Sequence, residues 1–99
     1  MTQFTEEVLV IIKRIPYGRV MSYGQIARFA GNIRGARQVV RILHSMSEKY
    51  DLPWHRIINS KGKISITDGR SAAIQRELLI SEGVEVSEDG SIDISIYGI

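Results

Sequence analysis

Apolar residues recur at helical spacing near the start of the chain. Phe4, Val8, Ile11 or Ile12 and Ile15 are three or four positions apart, which predicts an amphipathic helix whose apolar side belongs to the core. The helix should end before Pro16, because the residue that precedes a proline disfavours the α-helical conformation.

A helix-turn-helix is predicted next. Ser22 and Gln25 have the spacing of a capping box, in which the two residues satisfy free amides at the start of a helix. That helix should reach about Phe29 and end at Ala30-Gly31, since glycine accepts the left-handed conformation that closes a helix. Asn32 is the predicted N-cap of a third helix that runs to about residue 44. Two helices joined by so short a glycine-containing turn are typical of the motif.

The third helix has two chemically different sides. The apolar side consists of Ala36, Val39, Val40 and Leu43, and the opposite side of Arg34, Arg37, Arg41 and His44. An ordinary surface helix alternates some acids with its basic residues, and this one contains none. We therefore expect this helix to contact nucleic acid.

The second half of the chain predicts a hairpin, a helix and a tail. After a polar connection over residues 45–51, Ile57-Ile58, a turn at 59–62 and alternating residues 64–66 indicate a β-hairpin, or wing, with Lys61 and Lys63 near its tip. Residues 70–82 have helical character through Ile74, Leu78 and Leu79, up to Gly83. The tail alternates around a turn at 88–91, as in a terminal hairpin or extended arm. The whole pattern predicts a mostly α fold with a small β component, a winged helix-turn-helix.

Length and composition favour one small domain, residues 1–99. A chain of 99 residues with 43% apolar content has little room for a second independent core. It has no cysteine, which excludes disulfides, thiol catalysis and cysteine-based metal sites. The two histidines, His44 and His55, have no further ligands at metal-binding spacing, so neither a metal nor a cofactor is expected.

No segment indicates a membrane or an export signal. The longest apolar run, Val8 to Ile12, is far shorter than the roughly 20 residues of a membrane span. Residues 1–5 lack the basic flank and the apolar stretch of a signal peptide. We expect a monomeric cytoplasmic protein, associated with the nucleoid in a bacterium.

Charge is distributed unevenly, although the net charge is only +2. Residues 8–47 contain seven basic residues and no acid, whereas residues 77–99 contain six acids and no lysine or arginine. An acid-free first half suits a polyanion such as nucleic acid. On charge alone, a solvated basic surface is an equal alternative.

Three segments resemble one protein family. Residues 20–27 and 31–39 are similar to the segments before and within the recognition helix of the O6-alkylguanine-DNA alkyltransferases. Pro53-Trp54-His55-Arg56 with two following isoleucines resembles their active-site sequence proline-cysteine-histidine-arginine, with tryptophan in place of cysteine. The match extends from about Phe4 to Gly83. Tryptophan at this position marks the alkyltransferase-like proteins, which bind alkylated DNA without repairing it.

The resemblance implies a way to turn a nucleotide out of the duplex. Tyr23 resembles the tyrosine that crowds the phosphate of the target nucleotide. Arg37 resembles the arginine that enters the duplex where the base has left. Taken alone, a buried structural tyrosine and a phosphate-binding arginine would be the simpler interpretation. The further residues expected at the DNA are Ser22, Asn32, Arg34, Gly35, Ala36 and Arg41.

The resemblance also implies a pocket that can hold a base without reacting with it. Trp54 would form its wall, although a single tryptophan in a small domain is more often a core anchor. In the enzymes a histidine supported by a glutamate removes the proton of the cysteine. His55 keeps that position and Glu82 is the candidate glutamate, with a structural role left to them. The other expected pocket residues are Pro53, Arg56, Thr67 and Arg70.

Two features of the enzymes are missing. Their active-site asparagine corresponds to Met46, and their pocket tyrosine has no aromatic counterpart between Ser65 and Ser71. Selectivity for the lesion is therefore expected to depend on Trp54 and on polar or cationic groups of this loop.

Three functions compete at this point. The favoured one is non-enzymatic binding of O6-alkylguanine in double-stranded DNA by nucleotide flipping; the resemblance implies that nucleotide excision repair proteins then take over. The alternative is a winged-helix transcription regulator in which Arg34 and Arg37 read the guanines of an operator. The third is a protein-interaction domain that has lost DNA binding, which the acid-free half disfavours.

Overall fold

The computed structural model describes all 99 residues, and five helices contain about half of them. The helices are α1 Gln3–Lys13, α2 Tyr23–Phe29, α3 Ala36–Tyr50, α4 Gly69–Ser81 and α5 Ile94–Tyr97. A single 3-10 turn, Trp54–Arg56, lies directly before the second of two short strands, β1 Met21–Ser22 and β2 Ile57–Ile58. The predicted fold class, mostly α with a small β component, is confirmed. None of the helices combines the length and the apolar character that crossing a membrane requires.

The two strands lie between two apolar clusters. β1 and β2 pair in parallel, with Met21 opposite Ile57. Successive side chains of a strand point to opposite faces, so Ile57 enters the larger cluster and Ile58 the smaller one. The larger cluster consists of Val8, Leu9, Ile12, Ile15, Met21, Ile26, Ala27, Val39, Ile42, Leu43, Leu52 and Ile57. The smaller cluster consists of Val20, Ile58, Leu79, Val84 and Ile92.

Side-chain caps set the start of α2, and a glycine marks its end. The Ser22 hydroxyl accepts the N–H of Gln25 at 3.1 Å, and the Gln25 side chain accepts the N–H of Ser22 at 3.0 Å. Both hydrogen bonds of the predicted capping box are therefore present. Gly31 follows the last turn with a φ of +98°, the conformation in which glycine has no steric penalty.

Asn32 is not the N-cap of the third helix. α3 begins at Ala36, and Gly35 precedes it without a side-chain cap. Asn32 instead accepts the N–H of Arg34 at 3.1 Å through Oδ1, because an asparagine side chain can bind an amide two residues ahead as readily as it caps a helix. It therefore shapes the turn between α2 and α3.

α3 extends further than the sequence predicted. Residues 45–50, expected to be a polar connection, form its last turns. Met46 and Tyr50 are four positions apart and pack against the larger cluster, so the apolar side of the helix continues past Leu43. Burial of this apolar side stabilises the last turns of α3, although the residues between Met46 and Tyr50 are polar.

The predicted hairpin does not form, because β2 pairs with β1 instead of with residues 64–66. The turn itself is present: the Asn59 N–H donates to the Lys63 carbonyl at 3.0 Å. Beyond it, the Ile64 N–H donates to the Gly90 carbonyl at 3.0 Å. The chain after the turn therefore pairs with the C-terminal segment, which the local pattern could not indicate.

The tail and α4 also depart from the sequence pattern. Ile94–Tyr97 is a short helix capped by the Asp93 side chain, not a strand. In α4, Leu79 is buried as expected, but Ile74 and Leu78 are exposed, and Gln75 takes the second buried position. Gln75 and Leu79 are four residues apart and thus lie on the one side of α4 that faces the core.

Candidate nucleic-acid interface

One side of α3 is basic and open to solvent. Arg37, Arg41 and His44 are exposed along the helix, and Arg34 is exposed in the turn before it. None of them takes part in a salt bridge. Their charge is therefore not neutralised within the protein and is available to a polyanion.

Gly35, at the start of α3, is buried rather than turned towards solvent. A Cβ at this position would lie 2.8 Å from Cζ of Phe4 and 3.1 Å from the carbonyl oxygen of Asn32. A side chain here would therefore force Phe4 of α1 or the turn at Asn32 to shift. Gly35 was expected at the DNA, and the structure gives an internal reason for a glycine at this position.

A cavity of about 470 Å³ opens beside the basic side of α3. It lies between the first residue of α2, the middle of α3, the 3-10 turn and the loop that leads into α4. The lining residues are Tyr23, Val40, Leu43, His44, Ser47, Trp54, Ser65, Ile66, Thr67, Asp68 and Ser71. Two aromatic rings and the aliphatic side chains of Val40 and Leu43 thus line the cavity together with a loop that is polar except for Ile66. The arrangement could hold a flat, partly apolar group.

Trp54 forms part of this cavity and also belongs to the core. It is half-buried and packs against the larger cluster. Its ring meets that of His55 edge to face, with centroids 6.2 Å apart and planes at 86°. Trp54 therefore packs against the core and lines the cavity at the same time.

Burial affects the pKa of Tyr23, which also lines the cavity. Burial raises the pKa of its hydroxyl, and a hydrogen bond with Ser65 acts in the opposite direction to a smaller extent. The phenol is therefore neutral in the physiological range. It can offer a hydrogen bond without adding a charge to the cavity.

His55 and Arg56 turn away from the cavity towards Glu82. Nε2 of His55 lies 2.6 Å from Oε2 of Glu82, and the Nε and Nη2 groups of Arg56 each donate to the carboxylate at 2.9 Å. The N–H of Gly18 adds a fourth hydrogen bond at 2.8 Å. Arg56 also donates to the Ile15 carbonyl at 2.9 Å. Glu82 thus ties the turn that carries Trp54 to α4 and to the segment before β1.

The hydrogen bonds determine the charge state of Glu82. Burial by itself would raise the pKa of this carboxyl, but the donors from Arg56, Gly18 and His55 outweigh it and lower the pKa to about 2. Glu82 is therefore ionised at neutral pH. An ionised carboxylate accepts hydrogen bonds only, so the proton on His55 lies on Nε2.

Gln75 is a residue of the site that the sequence pattern did not reveal. Its Nε2 donates to the carbonyls of His55 and Ile57, at 3.1 and 2.9 Å. It is only 1% exposed, and its Oε1 has no hydrogen-bond partner. The available signal was helical spacing, because Gln75 shares a side of α4 with the apolar residues Ala72 and Leu79, three and four positions away. Gln75 holds the backbone just after Trp54 against α4.

The remaining predicted residues are distributed around the cavity. Thr67 lines it, whereas Pro53, at the N-cap of the 3-10 turn, and Arg70, exposed in the first turn of α4, do not. Asn32 and Arg41 border a second depression of about 680 Å³ near the start of α1, with a mostly polar lining. Ser22 is occupied in its capping box, and Ala36 is half-buried. The structure thus groups Tyr23, Trp54 and Thr67, with His55, Arg56 and Glu82 behind the wall.

Comparison with known proteins identifies the family. Residues 3–84 match the model of the DNA-binding domain of 6-O-methylguanine DNA methyltransferase. The chain belongs to this family. Within it, the chain is 45% identical over 94 residues to the DNA base-flipping protein of Escherichia coli, covering 95% of this chain and 72% of the relative. It is 40% identical over 87 residues to alkyltransferase-like protein 1 of Schizosaccharomyces pombe, covering 87% and 81%.

Solved structures of the family agree with this assignment. The S. pombe alkyltransferase-like protein, crystallised with damaged DNA that contains O6-carboxymethylguanine, has a TM-score of 0.88 at 35% identity. This match covers 100% of this chain and 96% of the other. O6-methylguanine methyltransferase of Mycobacterium tuberculosis gives a TM-score of 0.65 at 27% identity, with 98% of this chain but 56% of that chain covered. The predicted resemblance to the alkyltransferase family is confirmed.

Proposed function

We propose that this protein binds O6-alkylguanine in double-stranded DNA by turning the nucleotide out into the cavity beside Trp54, and that it transfers no alkyl group. The observation that supports this most directly is the position of that cavity. Its aromatic wall lies next to the unpaired basic side of α3. A flipped base needs both a charged surface that holds the duplex and a pocket with stacking partners.

Turning a base out of the stack costs a few kcal/mol, so the protein must supply compensating contacts. Tyr23 stands at the cavity, where it can crowd the backbone of the target nucleotide. Arg37 is exposed in the first turn of α3 and can enter the space that the base leaves. Its planar guanidinium can stack on neighbouring bases and pair with the orphaned one, which an ammonium group does less well.

The chemistry of the cavity favours binding over transfer. Alkyl transfer requires a nucleophile activated by a base, and the chain has no cysteine. The ring of Trp54 offers a flat apolar face for stacking and contact with the alkyl group. His55 and Glu82, which would activate a thiol, hold the turn in place instead.

The names of the relatives favour this function over an operator-reading regulator. They describe a DNA base-flipping protein and an alkyltransferase-like protein that was crystallised with damaged DNA. We further propose that the bound lesion is shielded and passed to nucleotide excision repair proteins. The acid-rich C-terminal half is the candidate surface for that contact.

The central experiment uses Trp54, the only tryptophan. Its fluorescence is titrated with a duplex containing one O6-methylguanine and with the same duplex containing guanine, at matched salt. We expect a change in Trp54 emission and at least tenfold tighter binding of the modified duplex, because only the flipped base reaches the ring.

Salt and two Trp54 variants separate the phosphate contacts from recognition of the lesion. Phosphate contacts give salt-dependent binding to both duplexes, so raising the salt should weaken both alike and leave their ratio. Trp54→Phe should keep part of the preference and Trp54→Ala should lose it, as measured with labelled DNA. Equal affinity of the wild-type protein for the two duplexes would refute the proposal.

A further inference from the structure

Residues 97–99 lie against the segment that leads into β1. The N–H of Val20 donates to the Tyr97 carbonyl at 2.9 Å, and the N–H of Ile99 donates to the Val20 carbonyl at 3.2 Å. Val20 and Gly98 are thus paired as neighbours on parallel strands. β1 itself pairs with β2. The chain around β1 is therefore held by hydrogen bonds from two sides, and residues 97–99 supply one of them.

Two side chains fasten this segment further. Arg19 donates through Nε to the Tyr97 carbonyl at 3.1 Å and through Nη2 to the Gly98 carbonyl. Gln25 donates through Nε2 to the main-chain oxygen of Ile99 at 2.6 Å. Hydrogen bonds from a charged donor such as the Arg19 guanidinium are stronger than neutral ones. Side chains before β1 and in the first turn of α2 therefore both hold residues 97–99 in place.

The side chain of Gln25 connects this segment to the start of α2. Its Oε1 accepts the Ser22 N–H at 3.0 Å in the capping box, while its Nε2 binds Ile99. The amide oxygen and nitrogen belong to one planar group with an acceptor and a donor end, so each bond orients the group for the other. Tyr23, which lines the cavity, lies in sequence between the two capping residues. A displacement of Ile99 is therefore transmitted to the turn that carries Tyr23.

The short sheet also sets the relative position of the two aromatic residues of the cavity. Tyr23 directly follows β1, and Trp54 lies three residues before Ile57, where β2 begins. Each strand has only two residues, and an isolated pair of strands is marginally stable. Pairing of residues 97–99 beside Val20 adds a third segment to this frame. It should therefore restrict the movement of Tyr23 relative to Trp54.

We infer that residues 97–99 and Gln25 position Tyr23 for base flipping, so that loosening them lowers the preference for the lesion but not the affinity for duplex DNA. The inference rests on the proposed function, since it concerns how Tyr23 turns the nucleotide out. A side chain that crowds a phosphate displaces it only if the side chain is itself held in place. The hydrogen bonds of this segment reach the residues before β1 and in α2 but not α3. Binding of the duplex by the basic side of α3 should therefore persist.

Gln25→Glu breaks one contact of this side chain and keeps the other. Glutamate serves a capping box as glutamine does, but its carboxylate cannot donate to Ile99. The measured quantity is the ratio of the dissociation constants of a guanine duplex and an O6-methylguanine duplex, from the anisotropy of labelled DNA at matched salt. We expect this ratio to fall roughly three- to tenfold, as is typical for the loss of one hydrogen bond. Gln3→Glu, at an exposed position in α1, makes the same change in charge and should leave the ratio unchanged.

Gly98→Ala loosens the segment by a second route that leaves the charge unchanged. A Cβ at Gly98 would lie 2.5 Å from the Ile94 carbonyl oxygen, so the backbone must shift there. The ratio should fall again, while the affinity for the guanine duplex is kept. Because Gln25→Glu and Gly98→Ala break the same connection, their losses should not add in the double variant. Circular dichroism and urea unfolding establish that each variant is folded under the conditions of the titration.

The outcomes separate this inference from the proposed function. If the wild-type protein does not prefer the O6-methylguanine duplex, the proposed function fails and the inference fails with it. If the wild type prefers the lesion and both variants keep its ratio, the inference alone is refuted. An equal loss of affinity for the two duplexes would also refute it, since residues 97–99 would then support the fold in general.

Tyr23→Ala sets the lower limit of the effect, because it removes the positioned side chain itself. A ratio for Gln25→Glu or Gly98→Ala below that of Tyr23→Ala would contradict an action through Tyr23. If Gly98→Ala does not fold, Gln25→Glu decides the question, since it leaves the main-chain pairing of Val20 intact.

Discussion

The carboxylate of Glu82 connects three parts of the chain: the 3-10 turn, the segment before β1 and the end of α4. It accepts hydrogen bonds from His55 and Arg56 in the turn, and from the Gly18 N–H before β1. Its side chain is 6% exposed, so it cannot exchange these partners for water. Removal of one member of a buried ion pair leaves the other charge without compensation, which costs more than the pair itself contributes.

Glu82→Gln should therefore destabilise the protein by about 2–4 kcal/mol, because the partly buried Arg56 loses its ionic partner. Urea unfolding at pH 7 measures the change. Glu85→Gln, at an exposed position three residues further along the chain, is the control and should stay within about 0.5 kcal/mol of the wild type. A comparable loss in both variants would contradict the role assigned to Glu82.

The lowered pKa of Glu82 also predicts that the stability of the fold depends on pH. Its pKa is about 2 in the folded protein against an ordinary value of 4.5, so the ionised form stabilises the fold fully above about pH 5. This contribution, at most about 3 kcal/mol, is lost as the pH falls from 5 towards 2. The stability difference between wild type and Glu82→Gln should therefore be smaller at pH 3 than at pH 7. A difference that is independent of pH would show that the ionised carboxylate is not its source.

At the scale of elements, α3 combines two functions on opposite sides. Its apolar side reaches Tyr50 and anchors the helix in the larger cluster, while its basic side stays unpaired. A rigid helix with a free charged side can hold Arg37 at a constant position relative to the cavity. This is the property that insertion into a duplex requires.

Arg37→Ala should weaken binding to an O6-methylguanine duplex at least tenfold, and Arg37→Lys should restore little of the loss, because an ammonium group cannot stack between bases. Fluorescence anisotropy with labelled DNA measures both. Lys49→Ala, about three turns further along the same helix, is the matched control and should change affinity only slightly. Full restoration by lysine would instead make Arg37 a simple phosphate contact.

The packing of α1 against the start of α3 predicts a steric effect. Gly35→Ala places a Cβ 2.8 Å from Cζ of Phe4, and overpacking of this kind costs about 1–3 kcal/mol. Thermal or urea unfolding measures it. Gly24→Ala is the control, because a Cβ there meets nothing within 4 Å and alanine favours a helix.

A double variant identifies the contact responsible. Phe4→Leu shortens the side chain that the new Cβ would meet, so combining it with Gly35→Ala should cost less than the two single changes added together. Strict additivity would place the strain elsewhere, for instance at the Asn32 carbonyl oxygen 3.1 Å away.

At the scale of the whole molecule, two apolar clusters share one short sheet. Ile57 and Ile58 of β2 enter different clusters, as do Met21 of β1 and the preceding Val20. Glu82 and Gln75 tie α4 to the 3-10 turn before β2. Neither cluster can lose its structure without breaking these connections. The prediction of one domain over residues 1–99 therefore becomes a prediction about cooperativity.

Equilibrium unfolding in urea should be a single transition. Trp54 fluorescence reports on the larger cluster, and far-ultraviolet circular dichroism reports on all helices, including α4 beside the smaller one. We expect coincident midpoints from the two probes, as for a two-state domain. An earlier loss of part of the helical signal would show that the smaller cluster unfolds separately.

Local chemistry made parts of this fold predictable. The Ser22–Gln25 capping box, the glycine end of α2 and the apolar spacing of α1 depend on residues within one or two turns, so the sequence reveals them. The Pro53–Arg56 motif indicated the family before the fold was known. The hairpin after β2 was predicted wrongly because Ile57 and Ile58 find their partner about 35 residues earlier, in β1. Asn32 was assigned to the wrong helix end because one side chain supports either a cap or a turn.

The sequence by itself determined the presence of α1, α2, α3 and α4, the acid-free half and the replacement of the reactive cysteine by Trp54. These depend on residue identity and on short-range periodicity. The tertiary structure alone decided that Gly35 is small because of Phe4, that Gln75 supports the turn, and that His55 and Arg56 face Glu82 rather than the cavity. It also placed Asp68 at the lining. Each of these depends on which distant groups come within a few ångströms, and chain order does not contain that information.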